Sequence, residues 1–196
     1  MDLESVILRT RGLGNSTYVL GSDGDALVVD PPRDAWRVRE LLERRGWRLR
    51  MVVETHVHND YLSGALELVS SERARVVAPA RGHYAFDHQG ADDGEEIEVA
   101  GIVLRARATP GHTPEHLAWE VYDQAVGDGT PAAVLTGGSL LVGSVGRTDL
   151  LGDDATEELT REQFRSLRAL ASLPDDVAVW PTHGSGSFCA AGPRRS

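Results

Sequence analysis

Met51-Val52-Val53 leads, one residue on, into Thr55-His56-Val57-His58-Asn59-Asp60-Tyr61. The first three residues read as a compact buried strand. The strand opens into a loop with two imidazoles one residue apart and a carboxylate close behind. Leu62–Ser71 then has helical character and Arg75–Ala78 reads as another strand. That strand–loop–helix–strand order is a βαβ-like unit, and ligands gather at the carboxyl ends of such strands.

Upstream, Val6–Arg9, Ser16–Leu20 and Ala26–Val29 read as strands, separated by the turn signal Gly21-Ser22-Asp23-Gly24. Asp30-Pro31-Pro32 ends the third of these. Asp34 is a candidate N-cap for a helix over Ala35–Arg45, stopped by Gly46, with Trp36, Val38, Leu41 and Leu42 roughly on one face. Downstream, Arg81–Glu96 is polar and irregular, and Glu98–Ala108, broken near Gly101, reads as a hairpin leading into Thr109-Pro110-Gly111-His112-Thr113-Pro114. Leu117–Tyr122, Ala132–Thr136 and Val177–Trp180 are further strands. Glu158–Leu173 is the clearest helix, with Leu159, Phe164, Leu167 and Leu170 apolar.

Four of the seven histidines lie in loops beyond strands: His56, His58, His112 and His183. His56 and His58 can share one ion if their loop is tightly curved. A third nitrogen from His112 leaves a coordination position open, as catalytic metal sites require. His83, His88 and His116 have no comparable context. A single cysteine, Cys189, excludes a disulfide framework or a Cys-rich zinc site.

The chain has 196 residues, enough for one well-buried core, and its 41% hydrophobic and 26% charged content is that of a globular protein. With a formal charge of −10, it lacks the basic face that sequence-independent nucleic-acid binding needs. All 20 basic residues are arginine. No apolar run reaches the length of a membrane span, and the acidic start Met1-Asp2-Leu3-Glu4 is unlike a secretory signal. The expectation is a cytoplasmic protein with one domain over 1–190 and a tail over 191–196, and no nucleic-acid or membrane partner.

Thr55-His56-Val57-His58-Asn59-Asp60 resembles the metal loop of the metallo-β-lactamase superfamily, whose pattern is His-x-His-x-Asp-His. Pro110-Gly111-His112-Thr113-Pro114 resembles its second metal loop and Pro181-Thr182-His183 its last. The resemblance implies an α/β fold of αββα type, two mixed sheets flanked by helices. It implies metal ligands among His56, His58, His112 and His183, with Asp60 and Tyr61 beside them as catalytic or orienting groups.

Gly146-Arg147-Thr148-Asp149 resembles the persulfide dioxygenase branch more than its relative glyoxalase II. By that resemblance Arg147 contacts a carboxylate of a thiol such as glutathione, with Ser139 and Asp149 as nearby supporting groups. Guanidinium is suited to that task because it pairs bidentately with carboxylate. The branch oxidises low-molecular-weight persulfides with O2 to sulfite at one Fe(II) per chain; Zn(II) is the alternative metal, for thioester hydrolysis.

Two positions depart from the pattern. Tyr61 stands where the second histidine is expected, and Thr136-Gly137-Gly138-Ser139 has Gly138 where a metal-ligating aspartate is expected. A second ion would have only Asp60 and His183, so a binuclear hydrolase is disfavoured. Three readings remain open: an iron persulfide dioxygenase, a zinc thioester hydrolase, and a member that binds metal or persulfide without turnover.

Gly184-Ser185-Gly186-Ser187-Phe188-Cys189 with Gly192-Pro193 resembles the linker of members fused to rhodanese domains. A separate rhodanese is therefore a candidate sulfur donor and Cys189 a candidate relay, weighed against a buried inert thiol. A homodimer is a candidate assembly.

Overall fold

The computed structural model describes residues 3–10, 12, 14–71, 73–127, 129–184 and 187–190. The expected tail over 191–196 lies outside them.

The chain runs β1 (Glu4–Thr10), β2 (Asn15–Ser22), β3 (Asp25–Val29), α1 (Trp36–Arg45), β4 (Arg48–Val53), α2 (Ala65–Ser71), β5 (Arg75–Pro79) and β6 (Gln89–Ala91). It continues β7 (Glu96–Val99), β8 (Ile102–Ala108), β9 (Leu117–Asp123), β10 (Ala133–Gly137), β11 (Leu140–Leu141), β12 (Ser144–Val145), α3 (Asp153–Leu170) and β13 (Ala178–Pro181). The first sheet has the order β1-β2-β3-β4-β5-β6 and the second β13-β10-β9-β8-β7. β3-α1-β4 and β4-α2-β5 are parallel crossovers, the second of them the unit read from the histidine loop.

Alternation along the strands builds three apolar layers. Leu20, Leu27, Met51 and Val53 face Leu104, Leu117, Trp119 and Leu135 between the sheets. Their neighbours Val19, Val28, Val52 and Val76 face Val38, Leu41 and Leu42 of α1 and Leu68 of α2. On the far side Ala118 and Val134 pack with Leu170 of α3. The result is helix, sheet, sheet, helix, which is the αββα architecture expected.

Several boundaries differ from the sequence reading for identifiable reasons. α1 is capped at Ala35, without a side-chain cap bond, rather than at Asp34. Its buried positions 38, 41 and 42 form one face, and Trp36, two residues from Val38, falls on the opposite side and is 62% exposed. Gly46 does end the helix, in the left-handed region at φ 64°. The 62–71 segment becomes helical only from Ala65. Part of the irregular 81–96 stretch pairs with β5 as β6, an assignment its polar composition concealed. β11 and β12, two residues each, were not anticipated.

α3 begins five residues earlier than expected, with Asp153 and Asp154 complementing the dipole of its first turn. Its inward stripe is Leu159, Gln163, Ser166 and Leu170, whereas Phe164 is 61% exposed. The inward polar residues reach loop carbonyls: Gln163 Nε2 donates to Ser139 O at 2.6 Å and Ser166 Oγ to Pro110 O at 2.7 Å, while Gln163 Oε1 is buried without a hydrogen-bond partner. Helix α3 thus braces two of the histidine-site loops, and an apolar pattern alone could not show that.

Candidate metal centre

The carboxyl ends of β3, β4, β8, β10 and β13 lead respectively to Asp30, to His56 and His58, to His112, to Gly138 and to His183. Between the first and last of these, Asn15 bridges to His183 and Ser16 N–H donates to Thr182 O. The result is one imidazole cluster. Ring centroids of His58, His112, His116 and His183 lie 4.2, 5.0, 4.8 and 5.2 Å from that of His56.

The hydrogen bonds fix the tautomers. Thr55 Oγ1 donates its single proton to Asp30 Oδ2 at 2.7 Å, so it accepts from His56 Nδ1–H, also at 2.7 Å. Asn15 Nδ2 donates to Asp60 Oδ2 at 2.9 Å, which turns Asn15 Oδ1 towards His183 Nδ1–H at 3.2 Å. With both rings neutral, as metal ligands must be, His56 Nε2 and His183 Nε2 carry lone pairs that face each other at 3.1 Å.

In that form the two nitrogens cannot hydrogen-bond to each other, and protonating His56 is disfavoured. Burial first, then the charge of His58, holds His56 well below the ordinary range. A cation between the two nitrogens resolves the conflict. Nearby, His112 Nε2, His58 Nδ1 and Asp60 Oδ1 are buried without a hydrogen-bond partner. His112 Nδ1 donates to Arg147 O at 2.9 Å, which leaves the lone pair on Nε2. Burial pushes His112 down to about 4, so it is neutral and able to ligate at neutral pH. Metal-ligating histidines are oriented in this way, by a carbonyl or carboxylate on the other nitrogen. The residues fit an ion.

Two overlapping groups have ligand atoms within 4.8 Å of one another: His56, His58 and His183, and His112, His183 and Cys189. His183 belongs to both. A third group, Asp30, Glu54 and His58, lies behind them. There His58 Nε2 sits 3.2 Å from Asp30 Oδ1 and 3.1 Å from Glu54 Oε2. Burial would lower His58, but the Asp30 and Glu54 carboxylates outweigh it and raise the ring to about 10 in the metal-free protein. Tyr61 OH donates to Asp30 O at 3.2 Å and lies 3.0 Å from His58 Nε2, so it stands behind His58 as an orienting group.

Asp60 also resists its burial. The hydrogen bond from His183 and that from Asn15 hold its carboxyl down at about 2. The Asp30 carboxyl is likewise at about 2, where the His58 charge overcomes a full desolvation penalty. A carboxylate whose folded value lies below its ordinary one stabilises the fold above that ordinary value and loses the contribution as pH falls through the folded value. Metal-free protein is accordingly expected to unfold on acidification between about pH 4 and pH 2, followed by circular dichroism; an unchanged spectrum at pH 2 would contradict it.

Arg147 pairs bidentately with Asp149, at 2.6 and 2.7 Å, and stacks on Phe188 with its guanidinium 5.1 Å from the ring centre. Its backbone carbonyl, meanwhile, holds His112. Ser139 is buried, and its carbonyl is held by Gln163.

Three residues left aside by sequence reasoning belong to the centre. His116 is buried, with Nδ1 2.8 Å from Thr109 Oγ1 and Nε2 accepting from Gly138 N–H at 3.0 Å, so it fixes the 138 turn. Asp30 and Glu54 hold His58. The signals for these two were a carboxylate at a strand end and a carboxylate just before the His-x-His pair.

Gly138 is packed rather than vacant. A Cβ there would stand 2.6 Å from His112 Nε2 and nearer still to its Cδ2. Simple restoration of an aspartate is therefore blocked by the ring it would need to accompany. Gly138→Asp is expected to lower stability by about 1–3 kcal/mol through overpacking, read as a lower Tm with no gain in bound iron. A more stable variant with more iron would contradict this.

Comparison with known proteins places the chain in a family. The model of the metallo-beta-lactamase superfamily matches residues 9–183. The hydroxyacylglutathione hydrolase of Methylobacillus flagellatus is 34% identical over 171 residues, 86% of this chain and 62% of that protein. The human mitochondrial persulfide dioxygenase ETHE1 is 30% identical over 182 residues, 88% of this chain and 65% of that one. The chain thus spans somewhat under two thirds of these relatives' length.

Among solved structures, a Staphylococcus aureus metallo-beta-lactamase superposes with a TM-score of 0.88 at 26% identity, over 100% of this chain and 60% of its own. ETHE1 from Myxococcus xanthus does so with 0.79 at 28% identity, over 97% and 79%. The family model over most of the chain and these relatives show that the chain belongs to the metallo-beta-lactamase superfamily, in its glyoxalase II- and ETHE1-like branch.

Proposed function

We propose that the protein is a metal-dependent hydrolase of thioesters of a small thiol such as glutathione, working at one ion held among His56, His58, His112 and His183. The observation that carries this is the 3.1 Å approach of His56 Nε2 to His183 Nε2, with Asp60 Oδ1 ionised and unpartnered beside them. Two hydroxyacylglutathione hydrolases, at 34% and 33% identity, weigh towards this reading over oxidation.

A bound divalent ion supplies Lewis-acid polarisation of the carbonyl and acidifies water. The chain's own residues do the rest. Asn15 and His183 anchor one oxygen of Asp60, so the other is fixed in place as an acceptor for the proton of an attacking water. Burial of the imidazoles keeps that charge effective, because the surroundings screen poorly. At the rim, Arg147 offers a guanidinium to a substrate carboxylate, which must share or displace Asp149.

Persulfide oxidation at Fe(II) is the second reading. Gly138, which removes a carboxylate able to bridge two ions, and the Gly146–Asp149 segment favour it. A rhodanese partner and a homodimer remain proposals attached to it.

The test is to load anaerobically prepared metal-free protein with zinc or with ferrous iron, then to assay S-lactoylglutathione hydrolysis and O2 uptake with glutathione persulfide. Thioester turnover by the zinc form is expected. O2 uptake by the iron form without thioester turnover would replace the hydrolase with the dioxygenase. Among the described residues no helix is long and apolar enough to cross a membrane; a cytoplasmic setting remains part of the proposal.

A further inference from the structure

Where Gly138 withholds a ligand, the end of the described chain brings another. Cys189 is fully buried, and it is held at both backbone groups: its carbonyl accepts from Arg147 N–H at 2.9 Å, and its N–H donates to Ser187 Oγ at 3.2 Å. Ala190 then bridges to Gly146. Residues 187–190 are therefore pinned to the same loop whose Arg147 carbonyl orients His112. The sulfur, one nitrogen of His112 and one of His183 lie within 4.8 Å of one another. The ring of His112 is fully buried and its Nε2 lacks a partner, as does Asp60 Oδ1 on a side chain only 4% exposed. An apolar pocket for an inert thiol would not gather such atoms.

We infer that Cys189 is a thiolate ligand of this centre, which with His112 and His183 supplies the anionic donor that position 138 does not. The inference rests on reading the pocket as a metal site. It fits donor chemistry, since a mixed imidazole–thiolate set suits Zn(II) and is compatible with Fe(II). In the metal-free protein, burial first and then Asp60 keep the sulfur protonated, its thiol pushed up to about 12. On coordination the Sγ–H bond breaks, the electron pair goes to the ion and the proton leaves to solvent.

Cobalt(II) separates the possibilities, because it reports its ligands by colour. Metal-free protein is titrated with cobalt(II) under argon, alongside Cys189→Ser and Cys189→Ala, with far-ultraviolet circular dichroism confirming that both variants are folded. The wild type is expected to develop visible d–d bands together with a near-ultraviolet thiolate-to-cobalt charge-transfer band. Both variants should keep the d–d bands, lose the near-ultraviolet band and bind at least about 10-fold more weakly, the lower end of what losing even a supporting group costs. Wild-type d–d bands without charge transfer would overturn the thiolate and leave the metal centre standing. No cobalt bands in any of the three proteins would overturn the metal reading and this inference with it.

Discussion

Asp30→Ala is expected to be the most destabilising single substitution at the centre, by about 3–5 kcal/mol, the cost of stripping one partner from a buried charge pair. Its carboxylate accepts from Thr55 N–H at 2.8 Å, from Thr55 Oγ1 at 2.7 Å and from Thr182 Oγ1, and it stands 3.2 Å from His58 Nε2. These partners come from two strand ends belonging to different sheets, so one side chain joins the layers at the edge where the site is built. Alanine would leave two hydroxyls and an imidazolium in a space from which water is excluded. At roughly 2–4 °C per kcal/mol for a chain of this size, the Tm of metal-free protein should fall by roughly 6–20 °C. Asp30→Asn keeps the shape and part of the hydrogen bonding and should fall less. Equal, small shifts in both would mean that the hub contributes packing alone. Asp30 also sits at φ 50°, an unusual conformation for a residue with a side chain, and the surrounding bonds hold it there.

His183→Ala is expected to abolish stoichiometric metal binding and to reduce turnover by at least about 100-fold, beyond the range seen when only a supporting group of a metal site is lost. His183 is shared by both ligand groups and supplies one of the two opposed lone pairs. Its loss also frees Asn15 and Asp60 from their anchor, so the proton acceptor and the ion are lost together. The readouts are metal content after gel filtration and kcat/KM on the metal-loaded protein. His88→Ala is the control, because His88 belongs to none of the ligand groups among the described residues and its ring nitrogen bonds to Phe86 O, so it should leave both unchanged. A His183→Ala protein that retains its metal would move the ion to a set excluding this residue.

Much of the architecture was legible because strand alternation and the βαβ order are local signals. Val19 and Leu20, adjacent in sequence, lie in different apolar layers, as a period of two requires. The histidine loops were legible for a related reason: a polar, ring-bearing residue just beyond an apolar strand has few structural uses.

What the sequence concealed was long-range. Gln163 and Ser166 face inward on α3 although they are polar, because the loops they brace arrive from residues 139 and 110. His116 looked incidental because its partner, the backbone of Gly138, is 22 residues away. Gly138 read as a lost ligand, and only the His112 ring filling its space shows that the turn is packed for glycine. Asp30 read as the end of a strand, since nothing local announces that Thr55 and Thr182 converge on it.

The most direct test of the central claim, a single metal centre shared through His183, is the metal content of wild-type protein purified anaerobically. One equivalent per chain, zinc or iron, is the result this account predicts. Either two equivalents or none would contradict it.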